Sequence, residues 1–288
     1  MTASYKSFLS RFFHAPSRGA IEHQDKALIC VGEDGLISDV LRQDVPGYAD
    51  AVEREKALGS LIELPGDQFL LPGFVDLHIH APQWPQLGKA LDVPLEVWLQ
   101  KHTFPLETKY QDLAFAQRVY ADLVTALLAN GTTTAVYFAT IHQAASRALA
   151  DICIALGQRA VVGKVAMDNR AECPDIYCEH SAQASIAGTR DFITYVRDAD
   201  PSGRVQPCVT PRFIPSCSDE ALEGLGSLAA ETGAHVQTHC SESDWEHGYV
   251  LDRCGKTDPH ALDDFGLLTR NTVLAHSNFI NADDMVLI

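Results

Sequence analysis

The sequence predicts an α/β protein: a (β/α)8 TIM-type barrel with six of its eight strands present, preceded by a small β-sandwich portion. Three observations point there. From Phe74 onward, apolar strand-like runs alternate with amphipathic stretches. The first seventy residues lack that alternation and read as short strands punctuated by turns. Finally, His80, Arg212, His239, Glu242 and His276 fall at or just past the C-terminal ends of several different runs. Buried strands alternating with helices imply parallel pairing through right-handed crossovers. Polar residues at many strand ends favour a barrel, where those ends converge on one mouth, over an open doubly wound sheet. The expected division is residues 1–70 for the N-terminal part of the sandwich and 71–288 for the partial barrel.

Each element has its own signal. In ALICVGEDGLISDVL two apolar runs flank Glu33-Asp34-Gly35, a hairpin signature because Asp-Gly suits a type I′ turn. GYADAVEREKAL reads as a surface loop or short helix, and SLIELPGDQFLLPG as further strand. VDLHIH (75–80) is the first barrel strand, and runs at 132–139, 160–168, 205–212, 235–242 and 272–280 follow. Residues 112–131 read as a helix closed by Gly131, 184–200 as a second, and 218–233 as a third with Ser218 or Asp219 as N-cap. Six strands are visible where a barrel needs eight, and the sequence ends where another helix begins.

Composition bounds the function. Lys plus Arg number 22 against 38 Asp plus Glu, a formal charge of −16, which repels phosphate backbones and anionic lipid surfaces. Nucleic acid and membrane are therefore not expected partners. No run approaches the roughly 20 apolar residues of a membrane span. Arg11 and His14 break the apolar N-terminal patch, which does not read as a secretory signal. The eight cysteines are scattered without a CxxC pair; Cys173 and Cys178 are the closest, and reduced thiols in a cytoplasmic protein are the expectation.

The stretch PGFVDLHIHAPQWP carries the chemistry. Residues two apart on a strand share a face, so His78 and His80 both project into the mouth. Two imidazoles there, joined by His239 from the fifth run, make a plausible metal site. Glu242, three residues further on, suits a carboxylate that takes a proton from an attacking water. His276 is a fourth ligand or a group that orients the water. Lys164 inside the third run raises a different possibility, a carbamylated lysine bridging two metals. NGTTTA lacks a phosphate-loop pattern. The other histidines (14, 23, 102, 142, 180, 235, 247 and 260) show no ligand spacing.

PGFVDLHIHAPQ, VWLQKHTFPLE, NGTTTAVYFATIH, VTPRF, HVQTHCSE and TVLAHS, in this order from about residue 70 to residue 280, resemble the guanine deaminases of the amidohydrolase superfamily. His-x-His marks only the superfamily; HAPQ, TFPLE and TPRF are narrower. The resemblance implies one divalent ion per chain, zinc with Fe2+ as the alternative, held by His78, His80 and His239. It implies that Gln83, Arg212 and Phe213 grip the purine, that Glu242 shuttles the proton, and that His276 stands beside the attacking water. It also implies guanine as substrate, xanthine and ammonia as products, and a homodimer at full length. A deaminase of a related heterocycle such as a pterin, or a non-catalytic truncated product, are the alternatives. The family's last ligand is an Asp at the end of the eighth strand, and this sequence stops before any matching position. The chain as given is accordingly expected to be inactive or impaired, and poorly stable in isolation.

Overall fold

Two long antiparallel strands, β1 (Lys6–Ser17) and β2 (Ala20–Val31), open the computed structural model, which describes residues 6–288. They belong to the first of two units, which ends at Gly73; the second runs from Phe74 to Ile288. Gly19, at φ 80°, makes the tight connection between β1 and β2. β3 (Ile37–Arg42) pairs antiparallel with β2, so the expected hairpin forms. Its loop is wider than a type I′ turn, however. It spans Gly32–Leu36, only Gly35 is left-handed (φ 79°), and the Asp34 carboxylate accepts from the Leu36 amide at 3.0 Å. GYADAVEREKAL resolves as helix α1 (Tyr48–Ala57), and β4 (Leu61–Glu63) and β5 (Phe69–Leu70) pair parallel with β1. Alternation along β2 buries Ala27 and Ile29 with Phe12 on one face and Leu28 and Cys30 with Ala51 of α1 on the other.

The second unit is built on six parallel strands: β6 (Phe74–His80), β7 (Thr132–Phe138), β8 (Arg159–Ala166), β9 (Val205–Pro211), β10 (His235–Cys240) and β11 (Thr272–His276). They pair in chain order. Short helices α2 (Leu95–Trp98) and α3 (Phe104–Glu107) follow β6, before α4 (Leu113–Ala129). Helices α5 (Gln143–Leu156), α6 (Ala182–Ala199) and α7 (Asp219–Thr232) then connect successive strands, and α8 (Asp244–Cys254) and α9 (Asp258–Asp264) together connect β10 to β11. Helix α10 (Ala282–Leu287) ends the chain. Gly131 (φ 89°) lies just past α4, and Ser218 rather than Asp219 caps α7, accepting from Ala221. Strands β9, β10 and β11 end one to four residues earlier than their sequence runs suggest, which leaves Arg212 and Glu242 on the loops.

The sheet is strongly coiled. At about 4.8 Å per strand, a flat sheet would separate β6 from β11 by roughly 24 Å. Instead the rings of His78 on β6 and His276 on β11 lie 5.0 Å apart, and Gln237 of β10 donates to the Tyr137 carbonyl of β7 at 2.8 Å across the interior. This is barrel curvature, as expected from the scatter of polar strand ends. Among the described residues, no helix is long and apolar enough to cross a membrane.

Strand alternation also decides the fate of Lys164. Gly163 faces the interior, where an added Cβ would meet Thr210 Oγ1 at 1.8 Å and Gln237 Nε2 at 2.5 Å. Lys164 therefore turns outward, its stem against Gly188 of α6 and its ammonium paired with Glu179. A bridging role between metals is ruled out by that orientation. Gly163→Ala is expected to destabilise the protein by about 1–3 kcal/mol or more, because the neighbours are side chains already hydrogen-bonded to each other. A urea melt measures it; an unchanged midpoint would show that the interior yields without cost.

Candidate active site

The eight residues that the sequence reading assigns to metal, proton transfer and purine line one cavity of about 160 Å³ at the C-terminal mouth of the strands. His78 and His80 reach it from β6 and His239 from β10. The ring of His78 lies 5.0 Å from those of His80, His239 and His276, while His239 stacks on His276 at 5.5 Å. Ligand atoms of His78, His80 and His239 all fall within 4.8 Å of one another. Glu242 sits just beyond β10, with its carboxylate 3.4 Å from Nε2 of His276.

The three imidazoles are prepared as neutral ligands. His239 Nδ1 lies 2.5 Å from the Arg212 carbonyl, which can only accept, so that nitrogen carries the proton and Nε2 keeps its lone pair. His80 Nε2 stands 2.8 Å from that atom. Burial, reinforced by the neighbouring imidazoles and Arg212, pushes His78 down to about 4 and holds His80 and His239 well below the usual histidine range. The buried Nδ1 atoms of His78 and His80 have no hydrogen-bond partner among the described residues. A nitrogen-rich cluster kept uncharged is what a borderline-soft divalent cation takes. The residues present fit a metal.

Burial raises Glu242 above the ordinary carboxylate range, against the pull of His276 and Arg212. A carboxyl so placed can pick up and release a proton nearer neutrality than a solvated one.

The opposite wall is set by Glu107, which the sequence reading missed although TFPLE contains it. Fully buried, it receives Arg212 at 2.6 and 3.2 Å and the Gln83 amide at 3.3 Å. One carboxylate thus fixes both polar groups expected to touch a substrate. Arg212 also lies over the Phe104 ring at 5.0 Å. The signal available in the sequence was chemical: a buried arginine requires a buried acid. Leu95, Trp98 and Leu99 complete the lining, the latter two at the junction of α2 with the π-helical turn Leu99–Thr103, a geometry frequent at functional sites. Phe213 both lines the cavity and packs with Met167 and Tyr177.

Elsewhere the sequence candidates do not assemble. Cys173 and Cys178 are free thiols, burial raises both, and neither joins a metal-ligating cluster among the described residues.

Residues 69–288 match the amidohydrolase family. A probable guanine deaminase of Schizosaccharomyces pombe is 39% identical over 98% of this chain and 54% of its own length. The guanine deaminase of Homo sapiens is 42% identical over 77% of this chain and 49% of its own. A crystal structure of guanine deaminase from C. acetobutylicum with bound guanine superposes with a TM-score of 0.89 at 31% identity, covering 99% of this chain and 65% of that one. The chain spans about half the length of these two curated relatives.

Glu107→Ala leaves the Arg212 guanidinium buried without its partner, which is expected to destabilise the protein by about 3–5 kcal/mol. Thermal or urea unfolding reads the loss, and a change under 1 kcal/mol would mean that water replaces the carboxylate.

Proposed function

This chain belongs to the amidohydrolase family, and we propose that the protein carrying it hydrolyses the exocyclic amine of guanine, giving xanthine and ammonia. The observation that supports this most directly is the cavity itself. Three neutral imidazoles, the Glu242–His276 pair and the Gln83–Glu107–Arg212 wall converge within it. Relatives named guanine deaminase, aligned over most of the chain, point the same way.

His78, His80 and His239 would hold a divalent cation. When bound, that ion supplies Lewis-acid activation of the attacking water near neutral pH. Zinc is our choice from the all-imidazole set, with Fe2+ as the alternative. Glu242 takes a proton from water and gives it to the ring nitrogen beside the reacting carbon; it then carries the remaining proton of the newly added hydroxyl to the departing amine as the C=O bond forms. A C–O bond forms, the C–N bond breaks, and ammonia leaves. His276, with Nε2 3.4 Å from the Glu242 carboxylate, orients that carboxyl and stands beside the attacking water.

Arg212 donates to a carbonyl-type oxygen with the N–H groups that Glu107 leaves free. Gln83 offers both a donor and an acceptor to the purine edge. Phe213 and Trp98 supply apolar faces for the ring. We further propose a homodimer and a cytoplasmic setting. Eight unpaired cysteines support a reducing compartment.

Two variants separate the roles. Glu242→Gln is expected to lower kcat by about 10²–10⁴-fold while bound metal is retained. His80→Ala is expected to lose the metal and the turnover together. Ammonia release from guanine and elemental analysis of the purified protein provide the readouts. Turnover of a pterin in preference to guanine would overturn the substrate but keep the chemistry. Full activity in Glu242→Gln would overturn the chemistry.

A further inference from the structure

We propose that Glu246 and Asp258, assisted by Asn278, are positioning residues that hold the Ser241–Glu242 turn and so aim the Glu242 carboxyl at His276; this rests on the deaminase reading for its catalytic meaning. Four backbone groups of that turn are held by three residues, Asp258, Glu246 and Asn278, the last of which holds two. Ser241 N–H donates to Asp258 Oδ1 at 2.9 Å, and Glu242 N–H donates to Glu246 Oε2 at 2.8 Å. The Ser241 carbonyl accepts from the Asn278 amide at 3.2 Å, and the Glu242 carbonyl from the Asn278 side chain at 2.9 Å. Asn278 lies two residues past His276, so the same side chain couples the two loops that bear the acid and the imidazole.

The backbone needs that hold. Ser241 has φ 42°, a conformation that costs a non-glycine residue roughly 1–3 kcal/mol and persists only where surroundings impose it. Both carboxyls are fully buried and come from different helices, α8 and the start of α9. A helix cap alone does not account for them. The α8 cap is Ser243, which accepts from Glu246 N–H, and a reciprocal capping box would return the Glu246 carboxyl to the Ser243 amide. Here it reaches one residue further back, to Glu242.

Among the described residues Glu246 Oε1 has no hydrogen-bond partner, and Asp258 Oδ2 has only the His247 ring nitrogen near it, at 3.7 Å. Two adjacent buried acids are expensive, and burial together with the Asp258 charge pushes Glu246 up to about 8. The hydrogen bond that this costly carboxyl makes is the one to the amide of Glu242.

The test pairs Glu246→Met, which removes the acceptor at similar volume, with Glu246→Gln, which keeps a carbonyl oxygen. In Glu246→Met, hydrogen exchange at the Glu242 amide is expected to quicken by about tenfold or more. With guanine as substrate, kcat is expected to fall roughly tenfold to hundredfold at little-changed KM and metal content. Glu246→Gln should restore both. In a Glu242→Gln background, Glu246→Met should cost no further turnover, because its effect runs through the residue already lost.

Unchanged amide exchange and kcat in Glu246→Met, or an equal cost in the Glu242→Gln background, would overturn the inference. Should Glu246→Met fail to fold, Asn278→Ala, at an exposed position, carries the test. It is expected to lower kcat without moving the melt, and an unchanged kcat overturns the inference. A protein that does not deaminate guanine sinks the function, whereas the amide exchange of the metal-free chain tests the positioning separately.

Discussion

Arg212 is engaged along its whole length, and the geometry of the mouth follows from it. Its amide donates to the Ala166 carbonyl at 3.1 Å, continuing the β8–β9 pairing past the strand end. Its carbonyl faces both the His239 amide at 3.2 Å and His239 Nδ1 at 2.5 Å, which fixes the ring and its tautomer. Its guanidinium is clamped by Glu107 at the end of α3, on the connection between β6 and α4. One residue therefore sets which nitrogen of His239 faces the ligand cluster and where the purine-facing wall stands. A lysine would supply the charge but not the two parallel hydrogen bonds that fix Glu107, and through Glu107 the amide of Gln83.

The acidic chain surrounds a site whose charge is tightly rationed. Among the described residues the two buried cations each have a dedicated partner, Arg212 at the site with Glu107 and Lys164 behind the strands with Glu179. The imidazoles are kept neutral by burial, and Glu242 is raised by the same cause. Such an environment leaves lone pairs available to a cation and a carboxyl able to exchange protons. Solvated versions of the same side chains would do neither near neutral pH.

The large features were legible in the sequence because they rest on periodicity. Alternating apolar runs located the six strands, and the period of two placed His78 and His80 on one face. The polar strand ends implied convergence, and the 5.0 Å contact of His78 with His276 reports it. What escaped was set by contacts remote in sequence. Nothing in the sequence around Glu107 announces its role, which comes from its meeting with Arg212, 105 residues away. The β1–β2 hairpin was missed because Ser, Arg and His interrupt the alternation in FLSRFFHAPS. The direction in which Lys164 turns was not legible either, since one-residue phase within a strand buried on both sides cannot be read from composition. The neighbouring Gly163, against which Thr210 and Gln237 pack, reveals that phase only in three dimensions.

Apart from Ala90 (φ 53°) on the connection between β6 and α2, the left-handed non-glycine residues among those described gather at the mouth of the strands. Ser241, His276 and Ser277 all carry positive φ without being glycine, at 42°, 71° and 55°, and all lie at the ends of the adjacent strands β10 and β11. A parallel strand that simply continued would carry its side chains alternately inward and outward, and Glu242 and His276 would not face each other. A left-handed step breaks that alternation. Glycine would take the step at less cost, but it cannot supply an imidazole at 276, and at 241 the serine hydroxyl accepts from the Phe279 amide at 3.4 Å. The strain is offset by hydrogen bonds running between the two loops, Ser277 to the Cys240 carbonyl at 2.8 Å and Asn278 to the Ser241 carbonyl at 3.2 Å. Because each loop stabilises the other's unfavourable conformation, the acid and the imidazole are placed as a pair rather than separately. That reciprocity explains why two successive strand ends, and not one, depart from regular geometry.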